Sequence, residues 1–90
     1  MEEALRLDAP VPNPAGERAT VSFAVQEQTE ATVAVYNTLG QKVRTLYRGT
    51  PTAGERQTVR LETEDLASGT YLLRLRANGR SQTERLTVVR

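Results

Sequence analysis

Apolar and polar positions alternate with a period of two wherever the chain is hydrophobic, which is the spacing of a strand with one buried face. Val21, Phe23 and Val25 alternate with Thr20, Ser22 and Ala24, and Ala31, Val33 and Val35 with Thr32, Ala34 and Tyr36. Val59 and Leu61 face one way across Arg60. Tyr71, Leu73 and Leu75 alternate with Leu72, Arg74 and Arg76, and Leu86 and Val88 with Arg85, Thr87 and Val89. Two shorter candidates, "ALRL" at 4–7 and "KVRTLY" at 42–47, bring the expectation to about seven strands. No stretch keeps a helical period. The one candidate helical turn, "TEDLAS" at 63–68, is too short to require a helix.

Turn chemistry divides the chain at the same places. "ANGR" at 77–80 sets Asn78 and Gly79 between two alternating runs. Both tolerate the positive φ of a tight hairpin, so the last two strands are expected to be antiparallel neighbours. "PVPNPAGE" at 10–17 is broken by prolines and cannot lie within a ladder. "GTPTAGE" at 49–55 is a further loop. In "YNTLGQKV", Asn37 and Gly40 supply permissive backbone, and Leu39 is expected to plug an end of the molecule. In "LASGTY", Gly69 allows a turn before Tyr71, which is placed like a tyrosine corner, with its ring inside and its hydroxyl bonded to upstream backbone. Seven short strands at this spacing in 90 residues predict an all-β fold: an immunoglobulin-like β-sandwich of antiparallel strands, forming one domain over 1–90.

Composition narrows function mainly by exclusion. Twelve basic and eleven acidic residues leave a net charge of +1, too even to point to nucleic acid or an anionic membrane. Lys42 is the single lysine, a bias assigned to genome composition or to a heat- or salt-adapted source. Arg44, Arg48, Arg74, Arg76 and Arg80 can form a basic face, although outward sheet positions are polar in any case. With no cysteine and no histidine, the chain has no thiolate or imidazole metal cluster and no histidine-based nucleophile pair. Glu62, Glu64 and Asp65 match no calcium-loop spacing and read as a solvated acidic turn. Gly49 and Gly54 have phosphate-loop spacing, but Glu55 and Arg56 follow where lysine and a hydroxyl residue belong. There is no tryptophan, Phe23 and Tyr71 are needed inside, and only Tyr36 and Tyr47 remain for a sugar platform. No cofactor, nucleic acid or small-molecule substrate is expected, and catalysis is not.

Five segments, in order, resemble the C-terminal sorting domains on cargo of the type IX secretion system of Bacteroidetes. Pro12, Asn13 and Pro14 stand where the family has Pro-Asn-Pro, with Ala15 in place of its usual phenylalanine. "VAVYNTLGQKVRTL" carries the family's Tyr36, Asn37, Leu39 and Gly40; "TAGERQTVRL" carries Gly54; and "LASGTYLLRL" carries Leu66, Gly69 and Tyr71. "SQTERLTVVR" resembles the closing segment, with Arg85 and Arg90 in the places of lysines. The resemblance implies a non-catalytic address on a larger secreted or surface-attached cargo protein. Its partners are then the outer-membrane translocon and a sortase-like peptidase, and the cargo passes through the periplasm. The start "MEEALRLDAP" has no signal-peptide character, and the expectation is that such a leader lies elsewhere on a longer parent chain.

The same resemblance makes Arg85, Leu86, Thr87, Val88, Val89 and Arg90 the expected recognition segment. Leu86 and Val88 anchor it, while Thr87, Val89 and Arg90 meet a receptor by charge or by strand addition to an unpaired edge. The remaining motif residues are expected to be structural. Two other readings stay open. The Tyr-Asn and Gly-x-Tyr pattern also resembles the structural immunoglobulin-like domain of flagellar hook-capping proteins, and a carbohydrate-binding accessory module is the third.

Overall fold

A computed structural model describes residues 5–89. Seven strands follow in chain order: β1 (Leu5–Leu7), β2 (Arg18–Val25), β3 (Ala31–Tyr36), β4 (Lys42–Gly49), β5 (Gln57–Glu62), β6 (Gly69–Ala77) and β7 (Arg80–Val88). All named pairings are antiparallel, and there is no helix among the described residues. They form two sheets, β1-β2-β5 and β4-β3-β6-β7, packed as a β-sandwich.

The alternation expected from sequence is what fills the space between the sheets. Leu5, Leu7, Ala19, Val21, Phe23, Val25 and Leu61 are buried from the first sheet. Ala31, Val33, Val35, Tyr71, Leu73, Leu75, Ala77, Leu86 and Val88 meet them from the second. Leu46, Tyr47 and Val59 close the margin, with the Tyr47 ring edge-on to Phe23 at 5.0 Å between centroids. Tyr47 was one of two aromatics that the sequence left available for a platform, but a register shift in β4 between its partners Val33 and Ala34 leaves Tyr47 opposite buried Val33. Its place is therefore with the core.

Turns fall where their residues direct. Asn78 (φ 52°) and Gly79 (φ 73°) connect β6 to β7, so pairing runs from Ala77–Arg80 to Gly69–Val88. The two-residue turn holds the strands in register from Arg80 onward, before the apolar alternation of Leu86 and Val88 begins. The β3–β4 loop is organised by Asn37, whose Oδ1 accepts from the Leu39 and Gln41 amides at 2.9 and 3.0 Å. Gly40 supplies the positive φ of 84° that this loop needs. Leu39 does not plug the sandwich. It is 82% exposed, since the loop is closed by its own Asx hydrogen bonds and does not fold over the core.

The Tyr71 corner forms as expected. Its ring is buried at 8% exposure, and its hydroxyl donates to the Ala67 carbonyl at 2.6 Å. Buried Thr63 holds the opposite crossing, its amide donating to Glu17 O and its hydroxyl to Gly16 O, each at 2.8 Å.

Candidate functional site

Residues 85–88 of the expected recognition segment lie on β7, an outer strand of the four-stranded sheet. One edge of β7 pairs with β6, and the other faces the end of the sandwich. That second edge is occupied along its C-terminal half. After β1 the chain stays beside β2, where Val11 and Thr20 exchange backbone hydrogen bonds of 3.0 and 2.7 Å, and then crosses to the other sheet. There Ala15 bridges Val88 in parallel, its amide donating to Thr87 O at 2.8 Å and its carbonyl accepting from Val89 N at 2.9 Å.

Asn13 extends this closure with its side chain. Pro12 and Pro14 flank it and have no amide hydrogens, so backbone at these two positions cannot donate to a ladder. The Asn13 carboxamide stands in for a peptide group: Nδ2 donates to Arg85 O at 3.1 Å, and Oδ1 accepts from Thr87 N at 3.0 Å. An amide is the side chain that offers both functions in this geometry. Four hydrogen bonds therefore cover Arg85 O, both backbone groups of Thr87, and Val89 N.

A second amide acts similarly on the other sheet. Gln82, on β7, donates through Nε2 to Leu5 O at 2.8 Å and accepts from Leu7 N at 3.0 Å. It thus caps the edge of β1 that β2 does not use. At the other side of the sandwich, Arg44 on β4 donates to Glu62 O at 2.6 Å and to both carboxylate oxygens of Asp65 at 2.8 Å. The acidic turn at 62–65 is tied to the fold by this fork, and among the described residues no group of metal-ligating side chains is assembled.

The expectation of an unpaired β7 edge at 85–89 is thus corrected: the Pro-Asn-Pro loop already occupies it. What that segment presents is side chains. Leu86 and Val88 are buried, Thr87 is half-buried, and Arg85 and Val89 are exposed, Val89 to 55%. Arg90 lies outside the described residues.

The other motif residues are dispersed over the molecule. Leu66 is buried beneath the turn that precedes β6, where Gly69 begins the strand and Tyr71 makes its corner. Gly54, in the β4–β5 loop, donates to Val25 O at 2.8 Å. Tyr36 is half-buried on the outer side of the four-stranded sheet, with the Arg74 guanidinium 5.5 Å from its ring centroid. Its ring is therefore not a free platform. Asn37 and Gly40 shape the β3–β4 loop, while Asn13 hydrogen-bonds β7 through its side chain and Tyr71, on β6, lies opposite Leu86.

A family model described as the secretion system C-terminal sorting domain matches residues 11–89. The chain belongs to that family. No curated protein matches it. The match begins at Val11, so it takes in the crossing loop and six of the seven strands of this sorting domain. Sequence reasoning located the two partners, Asn13 and the 85–90 segment, but not their contact. They are 74 positions apart at the Asn13–Thr87 bond. The available signal was an asparagine held between two prolines, a residue able to bond where its neighbours cannot.

Proposed function

We propose that this sorting domain is the non-catalytic address by which the type IX secretion machinery takes a larger cargo protein across the outer membrane for release or surface attachment. The family match over residues 11–89 carries this reading. The β7 geometry refines how the address is presented. With the covered edge already hydrogen-bonded to Asn13 and Ala15, the machinery reads a folded strand by its side chains. Arg85, Thr87, Val89 and Arg90 are the contact residues. Leu86 and Val88 hold the strand in place from the core, where both are buried. The remaining motif residues, Pro12, Asn13 and Pro14 among them, keep that strand and its neighbouring loops in position.

The test is to fuse the 90 residues behind a periplasm-targeted reporter in a host with this pathway. Reporter in the medium or on the cell surface supports the address. Reporter retained in the periplasm refutes it. Removing residues 85–90 from an exported fusion is expected to abolish export. Undiminished export after that deletion would place recognition elsewhere in the domain.

A further inference from the structure

The outer face of the four-stranded sheet separates charge in a way that the net value of +1 conceals. Strand register aligns three rows across β4, β3, β6 and β7. The first is Arg48, Thr32, Arg76 and Ser81; the second is Thr45, Ala34, Arg74 and Thr83; the third is Lys42, Tyr36, Leu72 and Arg85. These positions face outward, because their neighbours Val33, Val35, Leu73, Leu75 and Leu86 are in the core. The face therefore holds Lys42, Arg48, Arg74, Arg76 and Arg85, and no outward position in these rows is a carboxylate. A shallow recess of about 250 Å³ opens among Thr32, Tyr36, Lys42, Thr45, Arg48 and Arg76, with Glu30 at its margin as its one carboxylate among the described residues.

The other sheet differs. There Arg6 and Arg56 both pair with Asp8 at 3.1 Å, and Arg60 approaches Glu62 at 3.7 Å. Its cations are largely matched by carboxylates of the same sheet or its loops. The net charge thus averages over two unlike faces.

We infer that this cationic face is a docking surface for an acidic face of a folded protein partner in the export machinery. The inference rests on the sorting function proposed above. Shape selects the partner class. Strands lie about 4.8 Å apart and alternate residues about 7 Å apart, so the three rows cover a grid roughly 14 Å on each side. A single polyanionic strand binds this face by charge along one line at a time, whereas the grid extends in two dimensions and only a flat partner engages all of it together. Bases and sugar rings bind by stacking on aromatic faces, and the one aromatic here, Tyr36, already lies against Arg74. Membrane attachment needs apolar groups to insert as well as cations. The only apolar side chain in these rows beyond Ala34 is Leu72, which is half-buried. A flat acidic protein surface satisfies the cations together, with the Tyr36–Arg74 pair near the middle, where tyrosine and arginine anchor protein interfaces. With its side chains the patch spans about 400 Å², half of what each partner contributes to a stable complex, which suits a transient encounter steered by charge.

Charge reversal with a matched control tests this. The reporter fusion carries either Lys42→Glu, Arg48→Glu and Arg76→Glu on the cationic face, or Arg18→Glu, Arg56→Glu and Arg60→Glu on the other side. Both sets change net charge equally. Export is expected to fall at least about tenfold for the first set and to stay within about twofold for the second. Equal loss in both, or no loss in the first, overturns the docking surface. If wild-type fusion itself stays in the periplasm, the sorting function fails separately. A second measurement then decides the face alone: the purified domain is expected to bind immobilised polyglutamate at low salt, with affinity about tenfold weaker after Lys42→Gln, Arg48→Gln and Arg76→Gln. These neutral substitutions also serve if the reversed variant does not fold, as judged by thermal melting. Equal polyglutamate binding by wild type and the neutral variant overturns the proposal, as does stronger binding to phosphatidylglycerol vesicles than to polyglutamate.

Discussion

Replacing Asn13 by alanine removes the two hydrogen bonds that bind the crossing loop to β7 through a side chain. The remaining attachment is the Ala15 pair with Thr87 and Val89. A net protein hydrogen bond contributes about 0.5–1.5 kcal/mol, and these two lie at an exposed site where water can replace the lost partner. We therefore expect a total loss near the lower end, about 1–2 kcal/mol. For a domain of this size each kcal/mol corresponds to about 4–8 °C in melting temperature, so a decrease of roughly 4–16 °C is expected. Thermal denaturation followed by far-ultraviolet circular dichroism measures it on the 90-residue chain. Amide hydrogen exchange supplies the local readout: Thr87 N–H, which donates to Asn13 Oδ1, should lose protection far more than amides in the β3–β6 ladder. Asn13→Asp should be at least as damaging, because it keeps an acceptor for Thr87 but sets a carboxylate against Arg85 O, an acceptor without a donor. Melting within about 1 °C of wild type for Asn13→Ala, with Thr87 still protected, would refute the peptide-surrogate role.

Tyr71→Phe should lower stability by about 0.5–1.5 kcal/mol in urea denaturation by removing the corner bond to Ala67 O while keeping the buried ring. Leu39→Ser should leave the melting curve within about 0.5 kcal/mol of wild type, since the residue is exposed and the loop bonds use backbone and Asn37. A loss of several kcal/mol would restore the plug that the structure rejects. Phe23→Ala should cost about 3–5 kcal/mol by emptying a buried site and removing the Tyr47 contact, enough to leave much of the population unfolded in a calorimetric scan. Gly40→Ala should cost about 1 kcal/mol from the positive φ alone, as nothing lies near an added Cβ there.

The two amide caps give the edges of this sandwich a specific character. An outer strand with open backbone groups invites pairing with other chains. Here β7 is covered by Asn13 and Ala15, and β1 by Gln82 from β7 itself. The C-terminal half of β7 is consequently held from both sides. The exposed side chains of β7 are thus displayed without an open ladder along that part of the strand.

The strands, the hairpin at Asn78–Gly79, the core alternation and the Tyr71 corner were legible from residue order. Those features depend on interactions between near neighbours, or on a period of two that any half-buried strand must obey. Leu39 was misplaced because hydrophobicity alone does not distinguish a turn that folds inward from one closed by its own Asx bonds. The place of Tyr47 was not legible because a shifted register reassigns the faces of a strand, and the alternation of its own sequence does not record the partner. The closure of β7 by Asn13 and the cationic grid belong to tertiary structure alone. Each joins residues from distant segments, and which segments become neighbours is decided by strand order: β3 between β4 and β6, and β7 at the outer edge beside the loop that leaves β1. Side-chain chemistry supplied the parts, and only packing two sheets together could bring them within hydrogen-bonding or coulombic reach.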